Sequence, residues 1–206
     1  MLNNLSLRYE RPGKLSLKSS KINSKKDDVI IEVGSCGLCG TDLKIFNYGS
    51  KRLKKNRIMG HEIAGLIKKA PLNQSYFKKN QQIVLGADVY RHKNFALGHE
   101  IDGGFQKYIT INKNLLKKIP HHLSKTKIKT NLLALTEPLA CCINGVEKIG
   151  LKPNKNVVIF GSGSIGQLIA KLCLLKKSKN IFIIDKDKYK LNTGVKDISI
   201  NKLEYK

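Results

Sequence analysis

Cys36-Gly-Leu-Cys-Gly-Thr-Asp42, followed by Gly60-His-Glu-Ile-Ala-Gly65, sets a thiol, an imidazole and a carboxylate on either side of a lysine-rich loop. These are the ligand types that zinc takes. Further on, Val157-Val-Ile-Phe160 runs directly into Gly161-Ser-Gly-Ser-Ile-Gly166. An apolar strand entering a glycine turn is the arrangement that cradles a dinucleotide pyrophosphate. The glycines let the backbone turn tightly, and the helix that follows presents its free N–H groups to the anion. The two stretches together predict an α/β chain, with a β-rich metal-binding part ahead of a doubly wound parallel sheet.

Outward from these motifs, the chain reads as β-rich to about residue 125. Val29-Ile-Ile-Glu-Val33, Ile63-Ala-Gly-Leu-Ile67, Gln82-Ile-Val-Leu85 and Phe105-Gln-Lys-Tyr-Ile-Thr-Ile111 are strand-like. The pattern changes after Pro120. Leu132 to Ile149 reads as helical, with Pro138 in the first turn of a new helix and Gly150 and Pro153 ending it. From Asn156 strand and helix alternate. Ile165, Leu168, Ile169, Leu172 and Leu175 recur at helical spacing and are expected to pack on the sheet. Ile181-Phe-Ile-Ile184 is a second strand ending at Asp185, and Asp197-Ile-Ser-Ile200 a third. The connection from Lys186 to Lys196 is very short for a helix. A complete doubly wound domain needs about six strands to enclose a dinucleotide. Only three are legible, so a C-terminally truncated copy of a longer enzyme is expected.

The chain has 206 residues, 41% of them hydrophobic, and a net charge of +24. The charge suggests nucleic acid as a partner. Only five of the 39 basic residues are arginine, however, and the lysines pair all along the chain, at Lys25-Lys26, Lys54-Lys55, Lys117-Lys118 and elsewhere. That distribution reads as a dispersed, solvated surface; no specific nucleic acid is expected, and no membrane. No apolar run approaches the roughly 20 residues of a membrane span. The start lacks a signal-peptide profile, and five cysteines, two of them adjacent, do not make a disulfide framework. A cytoplasmic protein with reduced thiols is the expectation. Cys36 reads as a buried small hydrophobe, or as half of a redox pair or zinc knuckle with Cys39. Cys141, Cys142 and Cys173 read as helix packing, His121 and His122 as exposed turn residues, and Gly98-His-Glu100 as loop, although it repeats the Gly-His-Glu triplet.

Five motifs in order closely resemble the zinc-dependent medium-chain alcohol and polyol dehydrogenases, including the sorbitol and threonine dehydrogenase-like members. They are Gly34-Ser-Cys-Gly-Leu-Cys-Gly-Thr-Asp42, Gly60-His-Glu-Ile-Ala-Gly65, Asp102-Gly-Gly-Phe105, Glu137-Pro-Leu-Ala140 and Gly161-Ser-Gly-Ser-Ile-Gly166. The resemblance implies a GroES-like β-barrel catalytic domain over residues 1–130. Connecting helices and a partial Rossmann domain follow over 131–206. It implies one catalytic zinc on Cys39, His61 and a glutamate, either Glu62 or Glu137, since members differ on which acid touches the metal. Asp42 would take the other ring N–H of His61, and Thr41 would carry away the alcohol proton. Many members end that relay on a histidine; the matching residue here is Lys44, which at its usual pKa of about 10.4 cannot accept a proton at neutral pH. Lys44 would end the relay differently or serve the cofactor's phosphates. No cysteine lies between Gly86 and Asp102, so the structural zinc of many members should be absent.

In the nucleotide motif, Gly161 makes the turn, Gly163 admits the pyrophosphate and Gly166 lets helix and strand approach. Ser164 opens the helix. Asp185, placed to hydrogen-bond a ribose 2′-hydroxyl, favours NAD over NADP, while Lys186, Lys188 and Lys190 pull the other way. By resemblance Ile165 and Lys190 lie near the cofactor. The function expected is oxidation of a secondary alcohol of a polyol, sugar or amino alcohol, by a homo-oligomer in full-length relatives. The alternatives are a non-catalytic zinc-binding remnant and a basic nucleic-acid-binding protein.

Overall fold

The computed structural model describes residues 2–72, 74–88, 95–124, 128–194 and 200–205. They fall into two compact units, Met1–Glu137 and Pro138–Lys206.

The first unit opens with a hairpin, β1 (Asn3–Arg11) and β2 (Lys14–Lys21), turned at Gly13, whose φ of 72° suits glycine. Then come β3 (Asp28–Gly37), helix α1 (Gly40–Tyr48), β4 (Glu62–Lys69), β5 (Gln82–Leu85), β6 (Tyr108–Asn112), the short α2 (Lys113–Leu116), β7 (His121–Ser124) and α3 (Thr130–Ala134). Five strands form one antiparallel sheet in the order β6-β3-β4-β5-β7. Val29 and Ile31 of β3, Ile63 and Ile67 of β4, Ile83 and Leu85 of β5, and Ile109 and Ile111 of β6 turn to one side. They bury there with Phe77, Leu97, Leu116 and Ile119. The period of two in these strands is what puts every second side chain on that face. On the other side, Leu133 and Ala134 of α3 cover Ala64 and Val84.

The sheet is not the closed barrel expected: among the described residues β6 and β7 are its two edges and do not pair. The hairpin instead lies beside the approach to β6, through Leu7 N–H to Phe105 O and Lys107 N–H to Leu5 O, both 2.8 Å. Those bonds also explain why β6 begins at Tyr108 and not at Phe105. The His121-His122 pair is a strand, not a turn. β7 adds to β5, and the His121 ring is fixed by Ile119 O on Nδ1 (2.7 Å) and Tyr76 Oη on Nε2 (3.1 Å).

The second unit holds most of α4 (Thr136–Lys148), then β8 (Asn156–Phe160), α5 (Ser164–Leu175), β9 (Asn180–Asp185), α6 (Lys188–Thr193) and β10 (Ile200–Glu204). Its three strands are parallel, in the order β10-β9-β8. Pro138 occupies the first turn of α4, and Gly150, at φ 59°, follows its end. The short connection after Asp185 is helical after all: Asp187 caps α6 by accepting the N–H groups of Tyr189 and Lys190. The third strand was expected at 197–200; 195–199 lie outside the described residues, and β10 runs from Ile200.

Helix α5 presents Gly166, Ala170 and Cys173 to Ile159, Ile181 and Ile183; of the expected stripe, Ile169 packs against the same core, and Leu168 and Leu172 are half-buried. Ile165 and Leu175 are exposed. A Cβ on Gly166 would run into the carbonyl oxygen of Gly161, so the helix can pack this closely only with its glycine inward, and the rest of the face follows. Cys142 and Cys173 are buried as expected, but Cys141 is exposed. The opposite face of the sheet leaves Val158 and Phe160 largely bare, and among the described residues β8 pairs on one side only.

Candidate metal centre and nucleotide turn

Cys39 is the N-cap of α1, in extended conformation. The buried Asp42, in the first turn, accepts the Cys39 N–H at 3.0 Å through Oδ2. This satisfies a donor that the helix start leaves free and fixes where the Cys39 side chain leaves the backbone. Across the sheet, Gly60 adopts φ 91°; a Cβ there would meet the Phe105 ring at 2.7 Å and Cys36 Sγ at 2.8 Å. Only glycine delivers His61 from this position. Glu62 starts β4 opposite Gly37 in β3, and a side chain on Gly37 would overlap the Glu62 carboxylate. The bare glycine is the space that the carboxylate occupies.

The ligand atoms of Cys39, His61 and Glu62 consequently lie within 4.8 Å of one another. The chemistry of this set fits zinc: one soft sulfur, one imidazole and one carboxylate. Burial raises the Glu62 carboxyl above its ordinary value, and the charges of Glu137 and Asp42 add to that, while His61 and the Cys39 thiol pull it down. A cation at this point would relieve that crowding of negative groups. The hydrogen bond expected from His61 to Asp42 is not formed. Nδ1 stands 3.9 Å from Asp42 Oδ1 and is a buried atom with no hydrogen-bond partner. The other Asp42 oxygen is committed to the α1 cap, which holds the carboxylate back.

The remaining expected residues are placed as follows. Glu137, in the first turn of α4, is half-buried and near enough to Glu62 for its charge to be felt, but stands outside the three-donor set. Thr41 and Lys44 are exposed, in the first and second turns of α1. Cys36 is not in the set. Burial and the nearby Asp42 and Glu62 carboxylates push its thiol up to about 12. At pH 8 that leaves roughly one Cys36 in ten thousand as thiolate. Brief alkylation with iodoacetamide, read by peptide mass spectrometry, is therefore expected to label the exposed Cys141 and spare Cys36. Rapid labelling of Cys36 would restore the redox-pair reading. One neighbour is read from sequence only as loop: the His99 ring lies beside His61, with centroids 6.2 Å apart. The repeated Gly-His-Glu triplet was the available signal.

In the second unit Gly161 sits at φ 102°, and Gly163 is the N-cap of α5, where an added Cβ would meet nothing within 4 Å. Ser164 and Ile165, in the first turn, are exposed. Asp185 ends β9 with both carboxylate oxygens in use: Oδ2 accepts the Ser162 N–H at 2.6 Å and Oδ1 the Asp187 N–H at 2.9 Å. These bonds hold its carboxyl below the ordinary range and staple the glycine turn to the second strand. Each oxygen keeps a second lone pair for another donor. The Lys190 ammonium lies 3.5 Å from Asp187, and the Lys190 carbonyl accepts the Ser162 hydroxyl at 3.2 Å.

Residues 25–121 match the alcohol dehydrogenase GroES-like domain. A zinc-type alcohol dehydrogenase-like protein of Haemophilus influenzae is 28% identical over 177 residues, 78% of this chain and 50% of the relative. The D-xylulose reductase of Saccharomyces cerevisiae is 26% identical over 205 residues, 90% of this chain and 56% of the relative. Among solved structures, a zinc-binding dehydrogenase of Sinorhizobium meliloti bound to NADP superposes with a TM-score of 0.84 at 23% identity. The match covers 98% of this chain and 62% of that one. The chain is similar in sequence to zinc-type alcohol and polyol dehydrogenases, and its fold is a GroES-like domain followed by Rossmann-type structure. It spans about half the length of the curated relatives it matches.

Proposed function

We propose that this chain is a zinc- and NAD-dependent dehydrogenase, or the part of one that holds both groups, acting on a secondary alcohol of a polyol, sugar or amino alcohol. The observation that carries the reading is the gathering of Cys39, His61 and Glu62 within 4.8 Å of one another, at positions that the sequence separates by 23 residues.

Zinc would supply Lewis-acid polarisation of an alcohol oxygen, and the nicotinamide would accept hydride. The residues of the chain do the rest. Cys39, His61 and Glu62 would hold the ion with three donors, and a three-donor set leaves a position for substrate. Asp42 keeps Cys39 in place through the helix cap and puts negative charge beside His61. Glu137 adds a second carboxylate next to Glu62 and is the alternative to it as third donor. Thr41, exposed at the same helix start as Cys39, passes the alcohol proton towards solvent. Lys44 stands one turn further along α1 and would meet cofactor phosphate. Gly161, Gly163, Ser164, Ile165 and Gly166 form the pyrophosphate turn. Asp185 and Lys190 flank the adenosine ribose, with NAD preferred because a carboxylate repels a 2′-phosphate. One zinc is expected, and no structural zinc.

The test is to load the purified chain with zinc, add NAD and a panel of polyols, and follow absorbance at the NADH band. NADH formation that depends on both zinc and a secondary alcohol is expected. Zinc uptake with no NADH from any alcohol would overturn the dehydrogenase reading for this chain and leave a zinc-binding protein. Among the described residues no helix is long and apolar enough to cross a membrane, and the reading needs no partner beyond the small alcohol.

A further inference from the structure

We infer that the groove between the β1–β2 hairpin and β6 is a binding site for a small phosphate monoester. The groove stands apart from the proposed metal centre, since none of Cys39, His61 and Glu62 lines it, and it does not depend on the dehydrogenase reading. Its volume of about 290 Å³ lies at the lower end of small-molecule pockets.

Polarity in β1 is the reverse of a surface strand's. Asn4 and Ser6 are buried, while Leu5 is 48% exposed. With a period of two, Asn4, Ser6 and Arg8 share the inward face. Burying polar groups costs free energy unless each finds a partner. Asn4 and Ser6 find theirs within the protein. The Asn4 amide donates to Gln106 Oε1 at 2.8 Å and accepts the Tyr108 N–H at 2.9 Å. The Ser6 hydroxyl accepts Arg8 Nε–H at 3.1 Å. This network fixes the wall of the groove and, with it, the Arg8 guanidinium, whose Nη1 donates to the Asn56 carbonyl at 2.9 Å.

The cations of the groove are not matched in the same way. Both partners of Arg8 are neutral, and among the described residues it forms no ion pair, whereas Lys18 and Lys55 reach Glu10 and Arg57 reaches Asp102. Arg57 commits only Nη1, to Asp102 Oδ1 at 3.1 Å, and that oxygen also accepts the Ile58 N–H. Nη2 of Arg8, and Nε and Nη2 of Arg57, have no acceptor among the described residues. With Lys21, the lining holds three basic residues against one acid, an excess of two positive charges. A concave surface of one sign concentrates counter-ions.

The shape of the donor set selects phosphate. A carboxylate has two coplanar oxygens, which a single arginine fork engages. A phosphate monoester has three oxygens pointing apart and carries about −1.5 to −2 charge at neutral pH. Two arginines arriving from separate segments suit the second: Arg8 comes from β1, and Arg57 from the stretch that bridges to β1 through Ile58. The charge of the ester also balances the excess of the lining. Thr110, exposed on β6, adds a hydroxyl donor.

The test uses the full chain without nucleotide, titrated with methyl phosphate at constant ionic strength while amide shifts are followed by NMR. Saturable shifts are expected along 4–8, 20–23 and 106–110. Dimethyl phosphate, with one charge, and succinate, with two carboxylates, should each need about tenfold more for half-saturation. Arg8→Gln should weaken methyl phosphate about tenfold. Lys14→Gln removes the same charge from an exposed position outside the groove, and should change the affinity less than about twofold. If Arg8→Gln proves unfolded by circular dichroism, Arg8→Lys replaces it; the charge stays but the fork is lost, and binding should fall by about threefold or more. Unchanged affinity in the folded Arg8 variant overturns the proposal, as does succinate binding as tightly as methyl phosphate. Shifts that saturate only at 161–166 would place the anion on the glycine turn instead. Shifts that never saturate and spread over the lysines would show only the attraction of an ion to a chain of charge +24. Either result also overturns it.

Discussion

Cys39→Ala is expected to release the metal. Purified wild type dialysed against trace zinc should carry about one ion per chain, and the variant less than about a tenth of that under the same conditions. In the proposed site three protein donors would hold the ion. Residues that merely orient a ligand already cost about 10–100-fold in affinity when removed, so loss of the only thiolate should cost more than about a hundredfold. Cys36→Ala is the control. Its thiol sits three residues away, is pushed up to about 12 and stands outside the donor set, so zinc content should be unchanged. Zinc retained by Cys39→Ala and lost from Cys36→Ala would remove the assignment. Acidity should act in the same direction as the mutation. The Glu62 carboxyl is raised by burial and by Glu137, so protons begin to compete with the ion at a higher pH than for an ordinary glutamate. Affinity is full above that raised value and falls as the pH drops through it. Chelator competition measured from pH 8 downwards reads this directly.

Gly103→Ala should have the largest effect on the fold of the first unit. A Cβ there would collide with the Gly60 carbonyl oxygen and come within 2.7 Å of Met59 O and of Gly98 Cα. These are backbone atoms and cannot swing aside as a side chain can. Overpacking of this kind costs about 1–3 kcal/mol, occasionally more. In a unit of this size that lowers the melting temperature by roughly 3 °C or more. Because the strained atoms include the residue just before His61, zinc affinity should fall with stability. Gly145→Ala in α4 supplies the contrast, since its added methyl meets nothing within 4 Å. It should be neutral or stabilise by up to about 1 kcal/mol, by removing freedom from the unfolded chain. Equal melting temperatures for Gly103→Ala and wild type by scanning calorimetry would contradict the packing described around Gly60.

Much of the fold is legible wherever a short-range rule governs it. The runs at 63–67, 82–85, 157–160 and 181–184 are strands because their β-branched residues alternate or bury, and Pro138 and Gly150 bracket a helix through their own backbone limits. The trio of Cys39, His61 and Glu62 is legible through motif order. What escaped depends on contacts between distant segments. The β1–β2 hairpin alternates leucines with polar residues, but it buries Asn4 and Ser6 and leaves Leu5 exposed, and it is secured by backbone bonds to 105–107. His121 and His122 become a strand because β5 has a free edge to offer them. Helix α5 is turned by a glycine that has to meet Gly161, which outweighs the apolar stripe next to it. Asp42 looks from spacing like the partner of His61, but the helix cap claims its carboxylate first.

The bare side of the three-stranded sheet has a colloidal consequence. Phe160 is 78% exposed and Val158 53%, next to a strand edge that pairs with no strand among the described residues, which is the geometry that invites edge-to-edge association. The +24 charge opposes it, because identical molecules repel before those edges can meet. That repulsion reaches only about 10 Å at 0.1 M ionic strength and about 3 Å at 1 M. The lysines thus act as a dispersant whose strength the surrounding electrolyte sets, and the molecule should remain monodisperse in dilute buffer and clump in brine.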